Sequence, residues 1–324
     1  MSGDSDFRHI SVLYNESLEH LAIKPDGLYV DCTLGGGGHS SGILEALGSQ
    51  GRLIAFDKDA DARAAAKQRL NQVQSEAKFD IAAADFSDLE EVLQDMGIQG
   101  VDGILADLGV SSWQLDQAER GFSYGQDGPL DMRMDISSGQ TAADIVNTES
   151  AEQIAWILKT YGEERYARRL AEAIVRRRMD KPFARTGEFA ELIRQAMPSK
   201  ALKEKQHPAR RTFQALRIAV NHELDALEKL LEIAPDMLNE GGRLCIITFH
   251  SLEDRMVKEA FRRWENPCTC PRSFPVCICG NKPLGKQIDR KGIIADISES
   301  ESNARARSAR LRCFERSREE ELQI

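Results

Sequence analysis

The first 110 residues alternate short apolar segments with helical ones, and this alternation leaves few folds open to the chain. Four apolar segments are predicted strands: Leu28–Leu34, Arg52–Asp57, Phe79–Asp85 and Val101–Gly109. Helices are predicted between them at about residues 40–49, 60–72 and 87–96, the last opened by a capping box of Ser87 and Glu90. Strands that are apolar at nearly every position are buried on both faces, as in a parallel sheet covered by helices. The pattern therefore predicts an α/β fold.

The pattern changes after residue 110. The segment Ser111–Gly139 is rich in Gly, Asp and Ser and is predicted to be irregular. From about 150 to 205 the chain is predicted to be helical, and Ser150 with Gln153 forms another capping box at its start. One long helix is predicted to follow, from apolar residues that recur every three or four positions: Phe213, Leu216, Val220, Leu224, Leu227 and Leu231.

A strand pattern returns towards the end of the chain, at Gly242–Phe249. A helix opened by Ser251 is predicted at 252–264, and a last strand at Ala309–Glu315. The simplest topology is one α/β domain, residues 1–112 and 206–324, interrupted after its fourth strand by a mostly helical insert at 113–205.

Charge is distributed very unevenly along the chain. The net charge of −9, from 43 basic and 52 acidic residues, argues by itself against a nucleic-acid partner. Residues 1–150, however, hold 10 Lys or Arg and 26 Asp or Glu, whereas residues 159–217 hold 16 and 7, and residues 303–318 hold 6 and 1. Such basic segments are candidate contacts for a polyanion. The alternative is solvated helix faces with ion pairs.

Composition and targeting signals favour a cytoplasmic globular protein. The chain is 41% apolar and 29% charged, which is typical of a globular protein. Its longest apolar runs, such as Leu244–Phe249, fall far short of the roughly 20 residues that span a bilayer. Met1–Asp6 has neither the basic nor the apolar region of a secretory signal, so a cytoplasmic location is expected.

The strongest local motif follows the first predicted strand, where Gly35, Gly36, Gly37 and Gly38 precede His39. Consecutive glycines let a ligand approach the backbone and expose N–H groups at a helix start. Asp57 ends the second strand, where a carboxylate can accept both hydroxyls of a ribose. These features predict a nucleoside-containing ligand, and the alternative is a Gly-rich turn without one.

A nicotinamide cofactor is not predicted. The dinucleotide fingerprint requires a third Gly or Ala, and Ser41 stands at that position.

Two more strands end in residues of interest. Phe86 follows the third strand and could flank an adenine, although a single Phe is more often a core residue. Asp107 ends the fourth strand, where an acid can hold a cationic ligand or accept a proton from a reacting amine. The alternative for Asp107 is a cap for the following turn.

At these residues a resemblance becomes specific. S-adenosylmethionine-dependent methyltransferases place a Gly-rich loop, a ribose-binding acid and a fourth-strand acid in this order. The chain resembles the bacterial small-subunit ribosomal RNA methyltransferase H (MraW-like) family from His9–Leu13 almost to its end. Its most specific stretches are Asp107–Gln117, Glu119–Ser123, Asp127–Met134, Lys159–Glu164, Arg211–Asn221, Phe249–Arg255 and Ala304–Arg312.

The resemblance implies a Rossmann-like class I methyltransferase sheet with an inserted, helical, substrate-recognition domain. It implies an enzyme that methylates N4 of a decoding-centre cytosine in 16S rRNA of the small ribosomal subunit, with no membrane and no DNA partner. The residues that would contact S-adenosylmethionine are Gly37, Gly38, His39, Asp57, Phe86, Asp107 and Gln114.

The reaction needs a group that accepts hydrogen bonds from the amine, because the lone pair of cytosine N4 is delocalised into the ring. Amino-methyltransferases commonly carry Asp/Asn-Pro-Pro-aromatic after the fourth strand, and this chain departs from that pattern with Asp107-Leu-Gly-Val. Asp107 or a nearby carbonyl is the candidate acceptor, and Ser111 and Ser112 are secondary candidates.

Several basic residues are candidates for phosphate contact, with salt bridges as the alternative. They are Arg210 and Arg211 at the start of the long helix, and Arg305, Arg307 and Arg310 in the tail. His250 follows a strand and could contact substrate, although a hydrogen-bonded structural role is the favoured interpretation.

The seven cysteines fall into two groups. Cys32, Cys245 and Cys313 lie in apolar strand-like segments and are predicted core residues. The other four, Cys268, Cys270, Cys277 and Cys279, could supply four thiolates to zinc, although C-x-C is tighter than the usual spacing. The alternatives are reduced thiols in a loop or an oxidation-responsive cluster, so no metal ligand is assigned from the sequence.

Two other functions remain open at this stage. One is methylation of a different nucleic acid or of a protein amine. The other is a ribosome-assembly factor that binds RNA and keeps a vestigial cofactor pocket. The intact Gly loop, Asp57 and Asp107 argue against a decayed pocket.

Overall fold

The computed structural model describes residues 11–271 and 274–317. Met1–Asp6, His9, Ile10 and Arg318 lie outside these ranges. The chain forms two compact units. The sheet unit comprises Met1–Gly109 and Ala226–Ile324, and the inserted unit comprises Val110–Asp225.

A seven-stranded sheet organises the sheet unit. Its strands are β1 (Leu28–Asp31), β2 (Arg52–Phe56), β3 (Lys78–Ala82), β4 (Val101–Asp107), β5 (Leu238–Thr248), β6 (Gly285–Gln287) and β7 (Arg310–Arg316). Their order is β3-β2-β1-β4-β5-β7-β6, with β1 to β5 parallel and β7 antiparallel to both β5 and β6. This arrangement confirms the predicted class I methyltransferase sheet. The short β6 was not predicted, because three residues carry too little alternation to be recognised.

Thirteen helices are found among the described residues. They are α1 (Tyr14–Leu21), α2 (Gly38–Ala46), α3 (Ala60–Leu70), α4 (Leu89–Asp95), α5 (Ser112–Asp116), α6 (Ala142–Thr148), α7 (Ala151–Gly162), α8 (Ala167–Arg178), α9 (Thr186–Ala196), α10 (Arg210–Asn221), α11 (Glu223–Met237), α12 (Ser251–Glu265) and α13 (Ile297–Ser302). None of these helices is long and apolar enough to cross a membrane.

Helices cover both faces of the sheet, as the apolar strands predict. On one face Ile104 of β4 belongs to a buried cluster with Leu230 of α11 and Phe261 of α12. On the other face Leu105, the next residue, packs in a cluster with Ile43 of α2 and Leu70 of α3. Successive strand side chains point to opposite faces, so a strand buried on both sides must be apolar throughout.

The strand order reverses between β1 and β4. From β1 the chain proceeds outward to β2 and β3, and it then returns to place β4 on the other side of β1. In open α/β sheets, ligands bind outside the carboxyl ends of the strands at such a reversal. The loops after β1 and β4, which contain Gly35–His39 and Asp107–Gly109, therefore lie at the favoured position.

The inserted unit has its own core. Leu170 and Ile174 of α8 are buried in it together with Leu158 of α7 and Phe189 of α9. The helical segment predicted at about residues 150–205 is thereby confirmed. Before these helices, much of Ser111–Gly139 is irregular, as predicted, apart from α5 and a 3₁₀ turn at Ala118–Arg120.

The predicted long helix is wrong in one respect. It is broken at His222, which adopts a left-handed conformation (φ 52°) and separates α10 from α11. The side chain of Asn221 holds this break, because it donates to the Met132 carbonyl and accepts from the Met134 amide at 2.7 Å each. The apolar spacing continues across the break, so periodicity alone could not reveal it.

The C-terminal boundary of the insert differs from the predicted one. The sequence placed the end of the insert at residue 205, whereas the compact unit extends to Asp225. The reason is that Phe213 and Leu216 of α10 are buried in the core of the inserted unit.

Two predicted helix caps are replaced by neighbouring residues. Asp85, rather than Ser87, caps the 3₁₀ turn that leads into α4, by accepting from the Ser87 amide at 2.9 Å. His250, rather than Ser251, is the N-cap of α12, and Glu253 completes its capping box. The predicted capping box at Ser150 is confirmed in part: its hydroxyl accepts from the Gln153 amide at 3.1 Å, and no return bond to the Gln153 side chain is found among the described residues.

Candidate functional site

The Gly-rich loop between β1 and α2 is tightly constrained on one side and open on the other. Gly35 and Gly37 have positive φ values of 48° and 73°, which favour glycine. A Cβ at Gly38 would overlap the Ser11 hydroxyl, so a side chain there would force Ser11 to move. At Gly36 an added Cβ would meet nothing within 4 Å. The loop therefore leaves space at Gly36 for a ligand to approach the backbone.

Asp57 ties the end of β2 to this loop. Its Oδ2 accepts a hydrogen bond from the Gly35 amide at 2.8 Å, and its Oδ1 accepts from the Asp59 amide at 2.8 Å. Burial raises the pKa of Asp57 to about 6, although both hydrogen bonds act in the opposite direction. Each carboxylate oxygen has a second lone pair. Asp57 can therefore hold the loop and still accept a ligand hydroxyl.

Asp107 at the end of β4 has an unsatisfied oxygen. Its backbone amide donates to the Thr33 hydroxyl at 2.6 Å, whereas its buried Oδ1 has no hydrogen-bond partner among the described residues. Burial raises the pKa of Asp107 to about 7; Arg305 counteracts this rise, and Asp31 and Glu253 add to it. An unpartnered buried carboxyl oxygen is costly, so it marks a place where a ligand can supply the missing contact.

His39 adjoins Asp107 as a neutral imidazole. Burial lowers the pKa of His39 to about 4. Its Nε2 lies 3.1 Å from the Val12 carbonyl, which can only accept, so Nε2 carries the proton. Nδ1 is then unprotonated, and it lies 3.7 Å from Oδ2 of Asp107. His39 thus presents a lone pair, and no positive charge, to the carboxyl group of Asp107.

Two groups at this edge were not identified from the sequence. Asp31 is buried at the end of β1, where it accepts from the Ser40 hydroxyl at 2.6 Å and from the Thr33 amide at 3.0 Å. Burial raises the pKa of Asp31. The signal available in the sequence was a polar Asp-x-Thr ending an otherwise apolar strand.

The second such group is an ion pair at the ends of β2 and β3. Lys58 Nζ lies 2.7 Å from Oδ2 of Asp85, and despite burial its cation helps to lower the pKa of that carboxyl. Phe86 follows Asp85 and is half-buried, packing partly against the core beneath the sheet. The structure thus gives Phe86 some core contacts and leaves part of its ring exposed.

Gln114, Ser111 and Ser112 belong to the inserted unit. There the Ser111 hydroxyl accepts from the Gln114 amide at 3.2 Å, and the Gln114 side chain accepts from the Ser111 amide at 3.0 Å. These contacts form the capping box that begins α5. Gln114 is buried, and its part in a ligand site stays a prediction.

His250 has the structural role that the sequence favoured. As the N-cap of α12 it lies 3.0 Å, through Nε2, from Oε1 of the buried Glu253. Glu253 in turn accepts from the Phe249 amide at 2.8 Å. The chain therefore uses His250 to fix the turn between β5 and α12.

The tail arginines are largely engaged within the sheet unit. Arg310 lies 3.8 Å from Asp254, and Arg307 donates to the Ser300 carbonyl at 2.9 Å. For Arg310 the ion-pair alternative is confirmed. Arg305 instead acts on the candidate site, because its charge counteracts the rise in the pKa of Asp107.

The groups at this edge fit S-adenosylmethionine. Its ribose hydroxyls match an acceptor such as Asp57, and its sulfonium charge matches the free Oδ1 of Asp107. The space at Gly36 admits a ligand against the backbone. All three features belong to the sheet unit and lie at the carboxyl ends of β1, β2 and β4 or directly after them.

The chain is similar in sequence to known proteins over nearly its whole length. Ribosomal RNA small subunit methyltransferase H of Clostridioides difficile (strain 630) is 50% identical over 96% of this chain and 99% of its own length. The protein of the same name from Lachnospira eligens is 51% identical over 96% of this chain and 98% of its own. A solved rRNA methylase from Streptococcus thermophilus is 12% identical, with a TM-score of 0.38, over 94% of this chain and 95% of that one.

The family assignment rests on sequence rather than on these structural scores. Residues 6–317 match the MraW methylase family, a range that contains the Gly-rich loop, Asp57, Asp107 and the entire inserted unit. The chain belongs to the MraW methylase family.

Proposed function

We propose that this chain transfers a methyl group from S-adenosylmethionine to N4 of a decoding-centre cytosine in 16S rRNA of the small ribosomal subunit. The proposal is supported by the relatives named ribosomal RNA small subunit methyltransferase H, which are about half identical over 96% of the chain. The structural observation that supports the chemistry is the buried Oδ1 of Asp107, which lacks a hydrogen-bond partner in the described part of the chain and lies beside an open Gly-rich loop.

The proposed ligand contacts follow the predicted set: Gly37, Gly38, His39, Asp57, Phe86, Asp107 and Gln114. S-adenosylmethionine supplies a methyl group that is activated by the adjacent sulfonium. Asp57 would accept the ribose hydroxyls, and the half-buried Phe86 would offer its exposed part to the adenine. Gly37 and Gly38 are required by conformation and packing, so their contribution is the shape of the loop.

Asp107 is the proposed acceptor for the target amine. A carboxylate that accepts a hydrogen bond from an N4 proton frees the nitrogen lone pair from the ring. A pKa near 7 also suits a group that takes up a proton from the methylated amine and releases it at neutral pH. Once Asp107 carries that proton, Nδ1 of the neutral His39 can accept a hydrogen bond from it. A neutral imidazole also does not form an ion pair with the Asp107 carboxylate.

The inserted unit is the proposed RNA-recognition part. Three exposed arginines of the α8 region, Arg165, Arg168 and Arg176, have no ion pair within the described part of the chain. Neighbouring Arg178 and Arg169 instead donate to backbone carbonyls, those of Glu149 at 2.7 Å and Ala196 at 2.6 Å. The first three are therefore available for phosphates, whereas the other two stabilise the unit itself.

A cleft of about 420 Å³ between α7 and α8 offers a second contact. Trp156, Lys159 and Arg168 line it, and Trp156 is 49% exposed. Large exposed aromatic side chains stack on unpaired bases, and adjacent cations bind the backbone. Glu152 and Glu172 also line the cleft, so the ring of Trp156, rather than net charge, supports this site.

The test is methyl transfer from labelled S-adenosylmethionine to small subunits that lack their own decoding-site methylation, followed by nucleoside analysis. N4-methylcytidine at one site is the expected product. Transfer to another base or particle would overturn the proposed substrate. Binding of RNA without any binding of S-adenosylmethionine would favour the assembly-factor alternative.

A further inference from the structure

Four of the seven cysteines converge in a loop that the proposed reaction does not use. This cysteine loop, residues 266–284, connects α12 to β6 and contains no helix or strand among its described residues. The Sγ atoms of Cys268, Cys270, Cys277 and Cys279 all lie within 4.8 Å of one another. Two pairs separated by a single residue thus bring their sulfurs to one point.

The separations of these sulfurs match a single tetrahedral metal. Cys277 Sγ lies 3.5 Å from that of Cys268, 3.8 Å from that of Cys270 and 3.4 Å from that of Cys279. Four sulfurs around zinc at about 2.3 Å are separated by about 3.8 Å in a tetrahedron. A disulfide would require about 2.05 Å, and an iron–sulfur cluster spreads its ligands over several metal atoms.

A backbone amide is directed at one of the sulfurs, as amides are in metal–thiolate sites. The Ile278 amide donates to Cys270 Sγ at 3.3 Å. N–H groups directed at sulfur stabilise the negative charge that thiolate ligands carry. Gly280, with φ of 71°, turns the chain directly after the fourth cysteine.

Burial of apolar side chains does not hold this loop. Phe274, Val276 and Ile278 are 46%, 69% and 73% exposed. A segment of this length without secondary structure or a core needs another constraint to be ordered. Hydrogen bonds close its two ends, from the Leu284 amide to the Trp264 carbonyl and from the Asn281 side chain to the Pro267 carbonyl.

We propose that Cys268, Cys270, Cys277 and Cys279 bind one Zn²⁺ ion through four thiolates. The ion fixes the cysteine loop between α12 and β6 as a structural site, because four protein ligands leave no open position for catalysis. Cys268 and Cys277 are exposed, which gives the metal a route of entry.

The remaining cysteines provide an internal contrast. Cys245 and Cys313 face each other on β5 and β7 with their sulfurs 3.3 Å apart, but both are buried in the apolar core. Two thiols without further ligands cannot complete a tetrahedron. Proximity of sulfur atoms is therefore not sufficient, and the number and exposure of the four clustered cysteines distinguish them.

The first experiment is elemental analysis of the full chain, purified under reducing conditions. One zinc per chain is expected. A chain without metal, with iron instead of zinc, or with disulfides among these four cysteines would overturn the proposal. After removal of zinc, Co²⁺ should restore one equivalent with the visible bands of tetrahedral cobalt–thiolate coordination, and a spectrum typical of six oxygen or nitrogen ligands would contradict it.

Variants then assign the ligands. The pair Cys277→Ser and Cys279→Ser should lose the zinc, whereas the control Cys313→Ala should keep it. Zinc retained by the double variant would place the metal elsewhere. Because a variant can misfold, hydrogen exchange of the unaltered chain gives an independent measurement. Chelation should raise exchange in residues 266–284 and leave β1 and β4 unchanged, and an unchanged loop would rule out the structural role.

Discussion

The carboxyl-terminal edge of the sheet, called here the strand edge, differs from the exposed helix faces of the inserted unit in how its charged groups meet solvent. At the strand edge, Asp31, Asp57 and Asp107 are acids whose pKa burial raises, and His39 is kept neutral by burial. On the inserted unit, Arg165 and Arg168 are exposed to solvent. A buried group changes its charge with pH or ligand, whereas an exposed arginine keeps its charge and responds to salt.

This difference separates chemistry from recognition. Changes at the strand edge should affect the methyl donor and the reaction, while changes on the inserted unit should affect RNA binding and its dependence on salt. Five predictions test this difference.

The largest effect is expected for Asp107→Asn. Replacement keeps the shape but removes the negative charge and the proton acceptor, so turnover should fall by about 10² to 10⁴-fold, the range for a general base. Single-turnover methyl transfer measures it. Asp102→Asn, at the other end of β4 and paired with Lys24 at 2.8 Å, is the matched control and should retain activity. A fully active Asp107→Asn would remove Asp107 from the reaction.

The next effect concerns the exposed arginines. Replacing Arg165, Arg168 and Arg176 together by Gln should weaken binding to the small subunit by on the order of 10²-fold at low salt, and should reduce the salt dependence by about 0.7–0.9 per lost contact. Affinity for S-adenosylmethionine should not change. Arg194→Gln is the control, because Arg194 already pairs with Glu191 at 2.6 Å. An unaltered salt slope would show that these arginines do not contact phosphate.

A smaller effect is expected for Asp57→Ala. Loss of a hydrogen bond to a charged group costs about 1.5–3 kcal/mol, which corresponds to a roughly 10- to 100-fold weaker binding of S-adenosylmethionine. Calorimetry measures the affinity. A thermal melt checks that the sheet unit stays folded when Asp57 no longer holds the Gly-rich loop. Asp80→Asn, on the neighbouring β3, is the control and should bind normally. Unchanged affinity in Asp57→Ala would exclude Asp57 from the site.

The smallest effect is a pH dependence. If the sulfonium binds to ionised Asp107, whose pKa is about 7, affinity should rise about tenfold between pH 6 and pH 8 as the ionised fraction rises. Asp107→Asn should flatten this profile, and a profile that persists in the variant would assign the titration to another group.

Stability without ligand should change in the opposite direction. An acid with a raised pKa in the folded state binds more protons when folded than when unfolded, between its ordinary pKa and the raised one. The contribution of Asp107 to the free energy of unfolding should therefore fall as pH rises from about 4 to 7. Chemical denaturation at several pH values, compared with Asp107→Asn, measures this term.

Much of the fold followed from local pattern. Continuous apolar strands predicted the parallel sheet, and the repeat of Phe213, Leu216 and Val220 predicted the helix that contains α10, because burial on two faces or on one stripe produces a periodic pattern. The break at His222 left no such trace, since contacts of Asn221 with residues 132 and 134 determine it. The boundary at Asp225 was likewise decided by the packing of Phe213 and Leu216.

The candidate site, like the fold, was predicted from the sequence only in part. Sequence by itself determined which residue types stand at the strand ends: the Gly-rich loop, Asp57 and Asp107. Only the tertiary structure decided that Gly35 occupies one Asp57 oxygen, that Oδ1 of Asp107 has no hydrogen-bond partner among the described residues and that the four sulfurs of the cysteine loop meet. The physical reason is that burial and pKa depend on neighbours remote in sequence, and the meeting of the sulfurs depends on how their loop folds, whereas strand pattern is a local property of the chain.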